Sequence, residues 1–324
     1  MKEKQKNRIL IIDALNMYFR AYIVDPSLSM NGQPIGGVKG FLKIFQKLVR
    51  ETKPDKVFII WDGPGGSRTR KSINKNYKEG RKPLRLNRDI KHLTENEEIE
   101  NKIWQQMRLI EYLNQLPIFQ ILIPEVEADD VISYVANMQR LRGWQKVIVS
   151  SDKDFFQLCD DETVLYRAVQ KEVLNKKNIV ETYEIHPRNF ALARALVGDK
   201  SDNLKGVPGV GLRSVAKRFP FFREEADATL DDVLEECRKV DNKLKIYKNI
   251  LENVPLIREN YKMMQLYVPI LSAQSKLNIN AIFDDGEELF NKTEIIKMMN
   301  EDGFGVYDWS SLFSSMRRVA TDSS

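Results

Sequence analysis

Nine acidic residues stand where they could hold metal. Asp13 closes the apolar run RILIID, Asp62 follows KVFIIW, and Asp152 and Asp154 lie in VSSDKDFFQL. Glu127, Asp129 and Asp130 open VEADDVISYVA, while Asp199 and Asp202 are three apart in GDKSDNLKGVPGVG. Taken singly, an acid at a strand end or in a first helical turn caps amides and opposes the helix dipole. Nine gathered in one place could not all stay ionised, because each raises its neighbours' pKa unless cations intervene. An all-oxygen donor set suits Mg²⁺, two ions or more, with Mn²⁺ as a substitute. Paired metals about 3.5–4 Å apart activate water and stabilise the leaving oxygen of a phosphodiester. The expected chemistry is metal-dependent phosphodiester cleavage.

Convergence requires a scaffold. The runs RILIID (8–13), KVFIIW (56–61), IFQILI (118–123) and KVIVS (146–150) read as buried strands. Helical periodicity over 38–51, about 96–116 and 128–142 lies between them, so the expected fold is α/β with a mostly parallel central sheet flanked by helices. TVLYR and KEVL, split by a short turn, predict an antiparallel hairpin at one sheet edge. In open α/β sheets, ligands bind beyond the carboxyl ends of the strands, and that is where Asp13, Asp62, Asp152 and Asp154 fall. After about residue 186 the pattern turns helical. The expected division is therefore an α/β domain over 1–185 and a helical region over 186–324.

Two further segments bear on the substrate. Between Arg68 and Lys91 lie ten Lys or Arg against two acids, with few large apolar residues. Such a segment, hung from the strand end that carries Asp62, would neutralise phosphates and guide a single strand toward the metals. Tyr77 would stack on a base, Lys78 or Arg81 would steady the scissile phosphate, and Arg85 and Arg88 would hold phosphates further away. An acidic patch, ENEEIE (95–100), would turn the segment back. In GVPGVG, Gly206, Gly209 and Gly211 would let backbone amides approach an anion closely. Arg213 and Lys217 follow on the next helix pattern. The acids would hold metal at the strand to be cut while the glycine hairpin grips the duplex beside it.

Composition narrows the class. Of 324 residues, 42% are hydrophobic and 30% charged, the net charge is +5, and only two cysteines and two histidines are present. A cysteine/histidine zinc site made by this chain alone is excluded. Cys159 and Cys237 read as free thiols of a reducing compartment. No apolar run spans a bilayer, so a soluble cytoplasmic protein is expected.

In their order along the chain, these motifs resemble the 5′-nuclease family: the 5′→3′ exonuclease domain of bacterial DNA polymerase I, its free-standing relatives and phage flap endonucleases. The resemblance runs through LIIDALNMYFRAY, WDGPGGSRTRKSINKNYKEGR, VEADDVISYVA, VSSDKDFFQL and GDKSDNLKGVPGVG, over about residues 8–265. It implies that all nine acids are metal ligands and that Arg70, Lys78 and Arg81 belong to a helical arch over about 64–100. It implies that the glycine hairpin is a helix–three-turn–helix that grips duplex DNA and binds K⁺ through backbone carbonyls. The implied activity is cleavage of 5′ flaps and 5′ ends, with removal of RNA primers from RNA–DNA hybrids beside replication proteins. A monomeric, stand-alone nuclease of a bacterial or phage-infected cell is the expectation. The rivals are a small ribonuclease with an acidic site and a metal-less scaffold that only binds DNA junctions. The first lacks the glycine hairpin, and the second would have lost acids that are all present here.

Overall fold

A computed structural model describes residues 7–79, 87, 89–90, 93–168, 170–239, 244–285 and 289–321. Six strands, β1 (Arg8–Asp13), β2 (Lys56–Trp61), β3 (Phe119–Leu122), β4 (Gln145–Val149), β5 (Thr163–Arg167) and β6 (Glu172–Leu174), form one sheet in the order β3-β2-β1-β4-β5-β6. The pairings among β1 to β5 are parallel, and β6 closes the edge antiparallel to β5. The chain leaves β1 toward β2 and β3, then returns to place β4 on the other flank of β1. The strand order thus reverses between β1 and β4, the crevice where such sheets take ligands.

Fifteen α-helices are present among the described residues. The first seven are α1 (Ala14–Val24), α2 (Gly36–Thr52), α3 (Arg68–Ile73), α4 (Glu95–Leu113), α5 (Ala128–Ala136), α6 (Lys176–Tyr183) and α7 (Pro187–Val197). Then come α8 (Leu212–Arg218), α9 (Leu230–Lys239), α10 (Lys245–Glu252), α11 (Val254–Met264), α12 (Ala273–Asp285), α13 (Lys292–Glu301), α14 (Trp309–Ser315) and α15 (Arg317–Thr321). The acidic patch 95–100 is the first turn of α4, fixed by a capping box in which Thr94 and Glu97 exchange hydrogen bonds. Helix α5 stops at Ala136, short of the expected 142, because Asn137 ends it and a 3₁₀ turn over Gln139–Leu141 follows. Among the described residues no helix is long and apolar enough to cross a membrane.

Strands buried on both sides read as unbroken apolar runs, and β1 and β2 are buried over five of their six residues. One face, with Leu10, Ile12, Val57, Ile59 and Trp61, packs on α1, α2 and α4. The same cluster takes in Ile295, Met299, Leu312 and Met316 from the C-terminal helices. The other face, with Ile9, Ile11, Phe58 and Ile60, shares one apolar cluster with Val131, Phe190, Phe219, Ile257 and Ile279. Among the described residues this cluster takes members from both sides of residue 185, the expected domain boundary. The C-terminal end is also tied back by charge, since Arg318 donates to the buried Asp55 carboxylate from Nε at 2.8 Å and Nη2 at 2.6 Å.

Candidate active site

The carboxyl edge of β2, β1 and β4 carries the site. Asp13 ends β1 and caps α1, its Oδ1 accepting the Asn16 amide at 3.1 Å and its Oδ2 the Ser150 hydroxyl at 2.8 Å. Asp62, just past β2, accepts the Ala128 amide at 2.8 Å and so pins the start of α5, with Glu127 and Asp129, to the sheet edge. Past β4, Asp152 accepts the Asp154 amide at 2.8 Å. Gly198 ends α7, and beyond it Asp199 and Leu204 exchange backbone bonds of 2.8 and 2.7 Å, closing a small turn that carries Asp202.

Crowding of negative charge shows in the titration of these groups. Burial, then the Asp62 charge, pushes Asp13 up to about 7. Burial and Asp152 push Asp154 up to about 7 against the pull of Arg194. Asp129 is raised well above the usual carboxylate range by burial and by Asp152 and Asp13. Three acids on three segments therefore resist ionisation together, as carboxylates do when burial and like charge act on them at once.

Protein cations bridge other members of the set. Arg70, 3% exposed, reaches Glu127 Oε2 at 2.6 Å and Asp130 Oδ2 at 2.7 Å, and its Nε donates to the Met263 carbonyl at 3.0 Å. Lys78 Nζ lies 2.5 Å from Glu127 Oε1. Arg194 bridges Asp154, at 2.9 Å, and Asp199. Burial alone would raise Glu127, but Lys78 and Arg70 hold it below its ordinary range. Asp199 is held low likewise, by the Ser201 hydroxyl and Arg194 against its burial. Among the described residues no three His, Cys, Asp or Glu side chains form a ready metal cage. The acids meet in one region, bridged in part by Arg70, Lys78 and Arg194.

Four sequence expectations change. Asp130 is 1% exposed, with one oxygen on Arg70 and the other on the Ile270 amide at 2.8 Å, so it positions Arg70 rather than facing a metal. Arg70 itself is too deep to reach a phosphate and positions Glu127. Tyr77 does not offer its ring to a base. It is 3% exposed, packed with Leu204, Met263 and Met264, and its hydroxyl lies 3.1 Å from Glu127 Oε2 and 3.3 Å from Asp202 Oδ2. Gly206 faces inward, since a Cβ there would lie 1.8 Å from the Val197 carbonyl oxygen. Arg81, Arg85 and Arg88 lie outside the described residues.

Gly209 and Gly211 behave differently from Gly206. Both have open space where a Cβ would go, and Gly209 has a φ of +78°. Arg213 and Lys217 on α8 line a shallow cleft with Arg218 and Lys245. Gly206→Ala is therefore expected to lower stability by about 1–3 kcal/mol through overpacking. Gly211→Ala should stay within about 0.5 kcal/mol, as a surface change. Thermal melting of the two variants checks this contrast, and equal shifts would contradict it.

Several working residues escaped the sequence reading. Ser150 and Asn16 orient Asp13, and the paired serines ahead of Asp152 were the available signal. Arg194 is a charge inside the otherwise apolar helix FALARALV, which is itself a sign of a buried partner. A cavity of about 1180 Å³ lined by Cys159, His186, Tyr261 and Tyr267 contains none of the nine acids.

Comparison with known proteins agrees with this architecture. A 5′-3′ exonuclease of Aquifex aeolicus is 25% identical over 300 residues, covering 90% of this chain and 92% of that one. DNA polymerase I of Bacillus subtilis is 25% identical over 309 residues, covering 93% of this chain and 32% of the polymerase. The crystal structure of bacteriophage T5 D15 flap endonuclease, a complex with DNA and metal ions, superposes with a TM-score of 0.64 at 17% identity, covering 91% of this chain and all of that one. The likeness to that structure is one of fold. The family model for the 5′-3′ exonuclease N-terminal resolvase-like domain matches residues 8–184, which is more than half of the chain and every strand of its sheet, and the chain therefore belongs to the 5′-3′ exonuclease family.

Proposed function

We propose that the chain is a metal-dependent, structure-specific 5′-nuclease that hydrolyses phosphodiesters at 5′ ends and 5′ flaps of DNA. The observation that carries this reading is the meeting of Asp13, Asp62, Asp129, Asp152 and Asp154 at the switch point of the sheet, where burial and neighbouring carboxylates raise Asp13, Asp129 and Asp154. The donor set is all oxygen, which fits Mg²⁺ with Mn²⁺ as a substitute. Asp13, Asp62, Glu127 and Asp129 on one side, and Asp152, Asp154, Asp199 and Asp202 on the other, would hold the ions. When bound, such ions supply an activated water and stabilise the leaving oxygen.

The remaining chemistry belongs to side chains. Ser150, helped by the Asn16 main-chain amide, aims Asp13, Arg194 aligns Asp154 with Asp199, and Arg70 with Asp130 aligns Glu127. Of the three cations that bridge the acids Lys78 is the most exposed, its side chain 20% exposed against 11% for Arg194 and 4% for Arg70. It is held by Glu127, and ions taken up by the carboxylates would free its ammonium for the scissile phosphate. The glycine turn and the cations of α8 would hold duplex, with K⁺ on the turn's carbonyls. RNA–DNA hybrids, replication proteins as partners and action as a monomer belong to the same reading.

Lys78→Ala should slow single-turnover cleavage of a 5′-flap DNA about 10²–10³-fold, because a charge aimed at the transition state acts on the chemical step. Its affinity for the flap should change little. An unchanged rate at saturating enzyme would remove Lys78 from the chemistry. Running the same flap with an RNA 5′ segment measures whether primers are substrates.

A further inference from the structure

We infer that Asn203 is a positioning residue whose side chain clasps segment 74–78 onto the 199–204 turn, so that duplex held at the glycine turn fixes where Lys78 meets the scissile phosphate. This rests on the nuclease reading above. Asn203 Nδ2 donates to the Asn76 carbonyl at 2.8 Å across 127 residues of sequence. Beside it the Lys78 amide donates to the Asp202 carbonyl at 2.9 Å. Tyr77, between Asn76 and Lys78, shares an apolar cluster with Leu204. The other end of the segment is fixed to α11, where Asn74 Nδ2 donates to Glu259 Oε1 at 2.8 Å. The segment is therefore bonded along its length to elements that come after residue 198 in the chain.

The backbone at the clasp is the second observation. Lys78 has a φ of +56° and Asn203 a φ of +58°. Both lie in the left-handed region, where a Cβ crowds the following carbonyl oxygen. Asparagine enters that region more readily than most residues, and lysine has no such preference. Such a conformation persists where the surroundings over-determine it. At Lys78 they do so from two sides: the amide is on the Asp202 carbonyl, and the ammonium is 2.5 Å from Glu127 Oε1. The clasp is the side that does not depend on Glu127.

The turn is tied as closely to the glycines. One residue, Lys205, separates Leu204 from Gly206. Its carbonyl accepts the Nδ2 of the buried Asn260 at 2.8 Å, and the Val207 amide donates to the Leu196 carbonyl at 2.9 Å. Lys78 is thereby referenced to the glycine turn as well as to the carboxylates. A duplex gripped at Gly209 and Gly211 fixes its 5′ strand relative to that turn, and the strand cannot shift to meet a displaced Lys78. A single strand, with no grip, can shift. Rate is sensitive to small errors in placing a charge at a reacting phosphate.

Single-turnover cleavage of 5′-flap DNA in Mg²⁺ is measured at saturating enzyme for the wild type, Asn203→Gly, Lys78→Ala and the double variant, each also on the flap strand alone. Glycine keeps the left-handed turn open and removes the side-chain bond. Asn203 is exposed, so the variant should fold; melting and flap affinity in chelator are measured beside it. All assays run below the melting range of the four proteins. Asn203→Gly should slow flap cleavage about three- to tenfold, a neutral hydrogen bond's worth, with affinity unchanged and the single strand slowed less than about twofold. In the Lys78→Ala background the same substitution should slow cleavage no further, because both changes act through one charge. An unchanged flap rate, an equal loss on flap and single strand, or an equal loss with and without Lys78 would overturn the inference alone. Wild-type protein with no Mg²⁺-dependent cleavage would overturn the nuclease reading and this inference with it.

Discussion

Arg70→Ala is expected to destabilise the protein by about 3–5 kcal/mol and to abolish cleavage, because it takes the guanidinium from two buried carboxylates and leaves Asp130 only the Ile270 amide. The guanidinium is enclosed, bonded to both carboxylates and to the Met263 carbonyl, so it joins α3, α5 and the end of α11. A loss of that size lowers Tm by about 4–7 °C in a chain of this length. Arg70→Ala with Asp130→Asn should recover part of the stability, since one of the two carboxylate charges is gone, without recovering activity. Thermal melting of the two variants measures this. If Arg70 instead gripped phosphate from the surface, the single variant would melt within about 0.5 kcal/mol of wild type.

Asp13→Asn separates activity from stability in the opposite sense. Cleavage should fall more than about a hundredfold, since even groups that merely support metal ligands reach that scale. Folding of the metal-free protein should improve above neutral pH. Asp13 is held near 7 when folded and ionises near 3.8 when unfolded. Between those values the unfolded chain has released a proton that the folded chain keeps, so stability from this group is full below about 4 and falls as pH rises toward 7. Asparagine removes that dependence. Melting in chelator at pH 5 and pH 8 should show a smaller drop for the variant than for wild type. A drop as large as wild type's would mean that Asp13 is not under electrostatic strain.

Strands β1 and β2 were legible to the residue because burial on both faces leaves unbroken apolar runs with polar ends, a signal that survives without any tertiary knowledge. The acids were legible because strand ends in a parallel sheet share one edge. Depth was not. Arg70 and Tyr77 sit in a stretch so rich in charge that it reads as solvated, and only the packing of α3 on α11 and the turn at 199–204 buries them. Asp129 and Asp130 are adjacent and chemically identical, yet one faces the cluster and the other faces Arg70, a distinction set by helix rotation. Gly206 and Gly209 likewise share a motif and differ in what lies beside them. The return of α13 to α15 onto the first face of the sheet rests on contacts between residues far apart in sequence, such as Arg318 with Asp55, which no local pattern announces.

The most direct measurement is cleavage of a 5′-labelled flap DNA by the wild-type protein and by Asp13→Asn, with Mg²⁺ and again with excess chelator. The carboxylate centre described here predicts release of the labelled flap by the wild type in Mg²⁺ alone, near the junction with the duplex, and its loss in chelator and in the variant. Equal cleavage with chelator present, or by Asp13→Asn in Mg²⁺, would contradict it.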